Sequence, residues 1–175
     1  MRIAFARREA ERFGHGVCHR VCLSVQVSPN AARAILHTEV EALNATLAAV
    51  GSDRDLGRRA GLARPAWPAW DLETALWALT RIGQTKATKL IAQKRPRLYP
   101  TLHSVVSQVF GTERAHVNPV REALRADDRA LYRRLLSIRA AAVVPEEISA
   151  LPMLDVIAWM DGKARGVGSH ADQER

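Results

Sequence analysis

The sequence predicts an all-α fold, a single helical domain of about seven or eight helices, and three observations predict it. Apolar residues recur at spacings of three and four wherever the chain is patterned. Proline and capping residues open those stretches, and glycine closes several of them. At 175 residues and 47% apolar composition, the chain has the length of one domain and enough apolar mass for a core.

The elements follow in order. Residues 1–15 are charged and poorly patterned, which predicts a poorly ordered or variable N-terminus. Gly16 to Val27 is apolar. Val21 to Val27 alternates like a strand, but the helical company it keeps makes it the end of a buried helix. Ser28 and Pro29 form an N-cap and first-turn proline. Leu36, Val40, Leu43, Leu47 and Val50 then make one apolar stripe, closed by Gly51. Residues 52–66 read as a charged loop with one apolar point at Leu56.

Pro68 and Asp71 open the next helix, which carries Trp70, Leu72, Leu76, Trp77 and Leu79 and stops at Thr80-Arg81-Ile82-Gly83. A second helix starts near Gln84–Thr85 and runs to Lys94, where Pro96 ends it. Its Ala87, Leu90 and Ile91 face inward while Lys86, Lys89 and Lys94 face out. Pro100 and Thr101 begin a helix with Leu102, Val105, Val106, Val109 and Phe110 on its apolar face and Gly111 at its end. Asn118-Pro119 starts a short helix. Asp127 caps a longer one bearing Leu131, Leu135, Ile138 and Ala142. Pro145-Glu146-Glu147 is a further start signal, and Pro152 begins the last helix, through Ile157 to Met160. The helical domain therefore spans 16–161, and the Gly-rich polar tail 162–175 is expected to be disordered.

Composition narrows the function classes. No stretch approaches the roughly 20 apolar residues that span a membrane, and charges interrupt the start of the chain, so neither a membrane span nor a secretory signal is expected. Two cysteines make no disulfide framework, and a reducing cytoplasm is the default. The net charge of +8 favours polyanions. Because 22 of the 26 basic residues are Arg in an Ala-rich chain, a GC-rich genome alone could produce that total, and distribution matters more. Residues 74–112 contain no Asp or Glu, yet hold Arg81, Lys86, Lys89, Lys94, Arg95 and Arg97.

The informative stretch is Leu79-Thr80-Arg81-Ile82-Gly83-Gln84-Thr85-Lys86-Ala87. Two helices meet at a turn whose one glycine, Gly83, can take a positive φ. The second helix offers unpaired N–H groups and the positive end of its dipole to a phosphate, with Lys86 and Lys89 beside them. Such contacts position a protein on DNA without reading sequence.

This stretch resembles the helix–hairpin–helix superfamily in its DNA-glycosylase-like branch, whose turn is Leu-Pro-Gly-Ile/Val-Gly, followed by Thr-Ala or Lys and later by Pro-Val-Asp. The residues from Trp77 through Gly111, above all Lys89 to Pro100, also resemble an uncharacterised actinobacterial family related to that fold. The likeness extends over Val21–Val27, Arg121–Arg125 and Leu154–Met160. The resemblance implies a glycosylase-like domain with the hairpin at its centre. It departs at three points. Thr80 and Arg81 stand where the hairpin has Pro and its first Gly. Thr85 stands where bifunctional glycosylases place a nucleophilic Lys, with Lys86 one residue out of phase. Pro100 is followed by Thr101, Leu102, His103 and Ser104, and no carboxylate occurs until Glu113. A neutral side chain cannot stabilise a cationic sugar in place of an Asp. Glycosylase chemistry is therefore expected to be absent, with no catalytic residue and no cofactor.

Other constellations rank below the hairpin. His15, Cys18, His19 and Cys22 share one helix face, but four ligands along a straight helix converge poorly on a tetrahedral ion, so no metal is expected. Trp67, Trp70, Trp77 and Trp159 are expected in the core, with Trp67 and Trp70, in the approach to the hairpin, as the best candidates for stacking on bases. His103 and Ser104 are neighbours on a helix and form no catalytic pair. Asp53, Asp55, Asp127 and Asp128 fit loop and cap duty.

The expected function is non-catalytic, largely sequence-independent binding of DNA, double-stranded rather than single-stranded, through Arg81, Gly83, Gln84, Thr85, Lys86 and Lys89. Lys94, Arg95, Arg97 and His103 lend support. Two alternatives stay open. One is a lesion-processing enzyme using His103, Lys86 and Ser104. The other is a protein-interaction module that has lost DNA contact.

Overall fold

A computed structural model describes residues 27–58, 67–101, 103–111 and 117–167. Seven α-helices and no strand are present among them, which bears out the all-α expectation. The weak metal-ligand candidates His15, Cys18, His19 and Cys22, the readings of 1–15 and of most of 16–27, and the tail beyond Val167 lie outside the described residues.

Helix α1 (Pro29–Arg33) starts as expected: Ser28 Oγ accepts from the Ala31 amide, and Pro29 sits in the first turn. A π-turn over Ala34–Thr38 follows, and helix α2 (Val40–Val50) resumes after Glu39. The π-turn corrects the predicted stripe. Its wider ring, closed by Glu39 N–H to Ala34 O, admits one extra residue and shifts the helical phase. Ile35 is therefore buried and Leu36 faces outward. Gly51 ends α2 with φ of 85°, as a glycine there should. Leu56, the one apolar point of the following loop, is fully buried in a single 3₁₀ turn over Leu56–Arg58.

Helix α3 (Pro68–Trp77) packs against α2 and against α4 (Gln84–Lys94), the pair that forms the hairpin. Helix α5 (Ser104–Phe110) ends at Gly111 in the left-handed conformation. It begins one turn later than the Pro100–Thr101 signal, because His103 is the N-cap. The long helix α6 (Val117–Ala141) is broken by non-helical residues at Ala126–Arg129, with Asp127, Asp128 and Arg129 all left-handed. The predicted boundary at Asp127 is thus a kink between two helices rather than a cap. Pro145-Glu146-Glu147 starts no helix. It forms a turn, with Ile148 N–H donating to Pro145 O and the Arg139 guanidinium donating to the Glu146 and Ile148 carbonyls.

Helix α7 (Ala150–Ala164) extends past the predicted domain end at 161. Gly162, read as the start of the tail, is buried in that helix where α7 meets α5. A Cβ there would lie 2.3 Å from a Val105 methyl and 3.0 Å from one on Val109, so only glycine permits this approach. The main core gathers Leu43, Leu72, Leu76, Ile91, Leu98, Tyr99, Leu124, Leu135 and Leu154 from α2, α3, α4, α6, α7 and the Leu98–Tyr99 segment. Each such side chain contributes roughly 1.5–3 kcal/mol on burial. This core fixes the two hairpin helices from behind and leaves their connecting turn outside.

Candidate nucleic-acid interface

The turn between α3 and α4 lies at the surface. Thr80, Arg81, Gly83 and Thr85 are exposed, while Ile82 is buried and anchors the turn to the core. Ile82 N–H donates to Leu79 O at 2.9 Å, closing a four-residue turn over Leu79–Ile82. Its third residue, Arg81, has φ of 64°, whereas Thr80 before it is not in the positive-φ region. That is the pattern of a type II turn, which ordinarily places glycine where Arg81 stands.

The predicted role of Gly83 is corrected here. Its φ is −83° and its ψ 173°, an extended conformation open to any residue, and it serves as the N-cap of α4. A Cβ on Gly83 would meet nothing within 4 Å. The protein's own packing therefore does not require glycine at this point. Lys86 N–H and Ala87 N–H both donate to Gly83 O. Among the described residues the amides of Gln84 and Thr85 have no partner, and no side chain caps this helix start. An eleven-residue helix thus presents two open N–H groups beside an exposed turn.

The cations are distributed around that point. The Lys86 ammonium donates to Arg81 O at 3.2 Å, which ties it to the turn and leaves two of its three protons for other acceptors. Arg81 is exposed and Lys89 half-buried on the same hairpin. Among the described residues, none of the three forms an ion pair with a carboxylate. Lys94 closes α4, half-buried, and Arg97 is exposed beyond it. Asp53 sits beside Arg97, accepting its backbone N–H at 2.9 Å. Burial pushes the Asp53 carboxyl above the ordinary Asp value, against the opposing pull of the Arg97 amide and the Arg97 and Arg95 charges.

One predicted contact is corrected and a second is given a structural duty. The Arg95 guanidinium turns inward and donates to Gly51 O at 2.7 Å, Lys94 O at 2.8 Å and Leu47 O at 3.3 Å. It caps the carbonyl ends of α2 and α4, where a cation suits the helix dipoles. His103 Nδ1 accepts from Val105 N–H, so that nitrogen is occupied within the fold.

Sequence reading missed the carboxylates that serve this region from a distance. Glu73, on α3, is only 4% exposed, and it accepts from Gln84 Nε2 at 3.0 Å and from the Tyr99 hydroxyl. Burial first, then the charge and hydrogen bond of Glu73, push the Tyr99 phenol far above its ordinary value. This buried link fastens the Gln84 side chain, and so the start of α4, to α3 and to the segment after α4. Asp155, from α7, accepts from the Thr101 hydroxyl. A carboxylate therefore does stand beside Pro100–Thr101 in space, although none follows them in sequence. A buried polar residue on an otherwise apolar helix face was the available signal for Glu73; nothing in the spacing pointed to Asp155.

The tryptophan assignment is inverted. Trp67 is buried, its ring centroid 5.8 Å from that of Tyr99, and Trp70 packs edge-on against Trp67. Trp77 and Trp159 are the exposed indoles among the described residues. Asp53 and Asp55 hold to the predicted loop duty. Asp55 accepts from Gly57 N–H and from the Tyr132 hydroxyl. Among the described residues no three His, Cys, Asp or Glu side chains are grouped to hold a metal, and no helix is long and apolar enough to cross a membrane.

The profile of a family of unknown function, DUF6308, matches residues 17–162. No curated protein and no solved structure matches the chain significantly.

Proposed function

We propose that this chain, which belongs to the DUF6308 family of unknown function, grips the phosphate backbone of double-stranded DNA through the α3–α4 hairpin, without base readout and without catalysis. The observation that carries this reading is the pair of amides at Gln84 and Thr85, which have no partner among the described residues, beside Arg81, Lys86 and Lys89, none of which is ion-paired to a described carboxylate. A phosphate oxygen accepts from such amides, and flanking cations neutralise its neighbours. Gly83, with open space where a side chain would project, lets the strand approach. Lys94 and Arg97 extend the positive field. Arg95 is withdrawn as a contact because its guanidinium caps two helix ends; His103 keeps a supporting place, its Nδ1 engaged by the Val105 amide.

The test is a salt-titrated anisotropy measurement on a fluorescent duplex. With three or four phosphates engaged, the slope of log K against log salt is expected at about −2.7 to −3.6. Lys86→Glu/Lys89→Glu removes about two of those contacts and flattens the slope by roughly two. Binding that ignores salt, or a charge-reversed variant that binds like wild type, overturns the reading.

Asp155 favours one second reading. No carboxylate follows Pro100 in sequence before Glu113, but Asp155 supplies one in space, at the Thr101 hydroxyl. A lesion-processing enzyme would release a base or nick a lesion-bearing duplex and lose the activity in Asp155→Asn. Unchanged lesion-bearing DNA after incubation with wild type removes this alternative.

A further inference from the structure

Trp77 is unaccounted for by backbone binding. It is 56% exposed, and among the described residues five large hydrophobics are exposed: Leu36, Trp77, Val143, Trp159 and Met160. Scattered exposed apolar residues need no explanation. What sets Trp77 apart is its position as the last residue of α3, immediately before the turn. The helix buries Ala69, Leu72, Glu73 and Leu76 and turns Asp71, Thr74, Trp77 and Ala78 to solvent. Thr80, Arg81 and Gly83 continue that exposed stretch into the turn. A flat, wide ring thus lies within four residues of Arg81 and seven of the open Gln84 amide.

We infer that Trp77 stacks on an unpaired base, and that the ligand preferred by this hairpin is duplex DNA interrupted by unpaired nucleotides rather than continuous duplex. The inference rests on the hairpin reading above. The backbone contacts hold the duplex; the indole needs a base face, and a continuous duplex offers none because its bases are stacked on one another. Charge complementarity selects a nucleic acid over an apolar protein surface, since the turn and the helix that follow Trp77 carry the cations Arg81, Lys86 and Lys89, and no carboxylate among the described residues pairs with them. Stacking of a base on an aromatic ring is tolerant of sequence, which agrees with a site that reads no base edges.

The full chain is titrated with two labelled duplexes of equal length, one fully paired and one with a central three-nucleotide bulge. Wild type is expected to bind the bulged duplex about tenfold more tightly, the size of one base–aromatic stack. Trp77→Ala abolishes that preference and leaves affinity for paired duplex unchanged, and Trp77→Phe keeps most of it. Lys86→Glu/Lys89→Glu weakens both complexes alike. Equal affinity of wild type for the two duplexes overturns the inference while the hairpin reading stands, and so does a preference that survives in Trp77→Ala. If neither duplex binds, or the charge-reversed variant binds both as wild type does, the hairpin reading fails and takes the inference with it. Sedimentation of wild type and Trp77→Ala without DNA supplies the last outcome: a dimer lost in the variant assigns the indole to a protein contact and overturns the inference.

Discussion

Replacing Arg81 with glycine separates what the turn costs from what it does. Arg81 is left-handed at the third position of the Leu79–Ile82 turn, and its guanidinium has no partner among the described residues. A side chain with a Cβ in that conformation costs about 1–2 kcal/mol. Glycine avoids the strain, but its freer unfolded chain returns roughly 0.5–1 kcal/mol. Arg81→Gly therefore stabilises the fold by about 0.5–1 kcal/mol, which for a chain of this length is a rise in Tm of roughly 1–4 °C. The Arg81 carbonyl that holds Lys86 is unchanged by the substitution. On DNA the sign reverses. Losing one phosphate contact makes the salt slope shallower by about 0.9, and across the decade from 0.1 to 1 M that is about eightfold in affinity. Arg81→Lys keeps both the strain and the charge and is the control. Calorimetry and anisotropy on the three proteins decide the matter. A Tm that falls in Arg81→Gly refutes the left-handed assignment, and a salt slope that stays put refutes the phosphate contact.

Three further substitutions test the same region and its supports. Gly83→Ala meets open space at an ordinary φ, so the fold changes by less than about 1 kcal/mol, the poorer N-cap offsetting the stiffer chain; DNA affinity falls because the methyl stands where the strand approaches, and unchanged affinity would show that nothing approaches there. Arg95→Ala removes three hydrogen bonds to the Gly51, Lys94 and Leu47 carbonyls and costs about 2–3 kcal/mol in urea unfolding, whereas Arg97→Ala costs little, and equal losses would contradict the capping role. The folded Tyr99 phenol holds its proton at a pH where the unfolded one gives it up, so this contribution is whole below about pH 10 and drains as pH rises beyond it, by up to about 1.4 kcal/mol per pH unit; Tyr99→Phe should lose that alkaline slope, read from urea midpoints at pH 9 to 11.

Much of the helical layout was legible because its signals are local. Ser28 and Pro29 start a helix by their own chemistry, and Gly51 and Gly111 stop one by theirs. The helix pair α3 and α4 was legible for the same reason, as two amphipathic stretches around a short break. What escaped depends on events that spacing cannot record. A π-turn inserts one residue into an unchanged apolar pattern, so Ile35 and Leu36 exchanged roles. Arg81 is no turn former, and nothing local revealed that the left-handed strain falls on it rather than on Gly83. Glu73 meets Tyr99 across 26 residues and Asp155 meets Thr101 across 54, so the absence of acid from 74–112 in sequence is not its absence in space. Pro145-Glu146-Glu147 carried a start signal, but Arg139 claims the carbonyls that a helix would have used.

The break in α6 divides one hydrogen-bond ladder into two. Three consecutive left-handed residues at Asp127–Arg129 interrupt the regular helical geometry, and the exposed Asp128–Arg133 ion pair ties the kink to the second half only, at the surface. Deuterium uptake should therefore enter α6 from its middle as well as its ends, with Val117–Arg125 and Ala130–Ala141 opening as separate cooperative units. The first unit is fastened by Leu124 and the second by Leu135, so each half answers to its own anchor in the core.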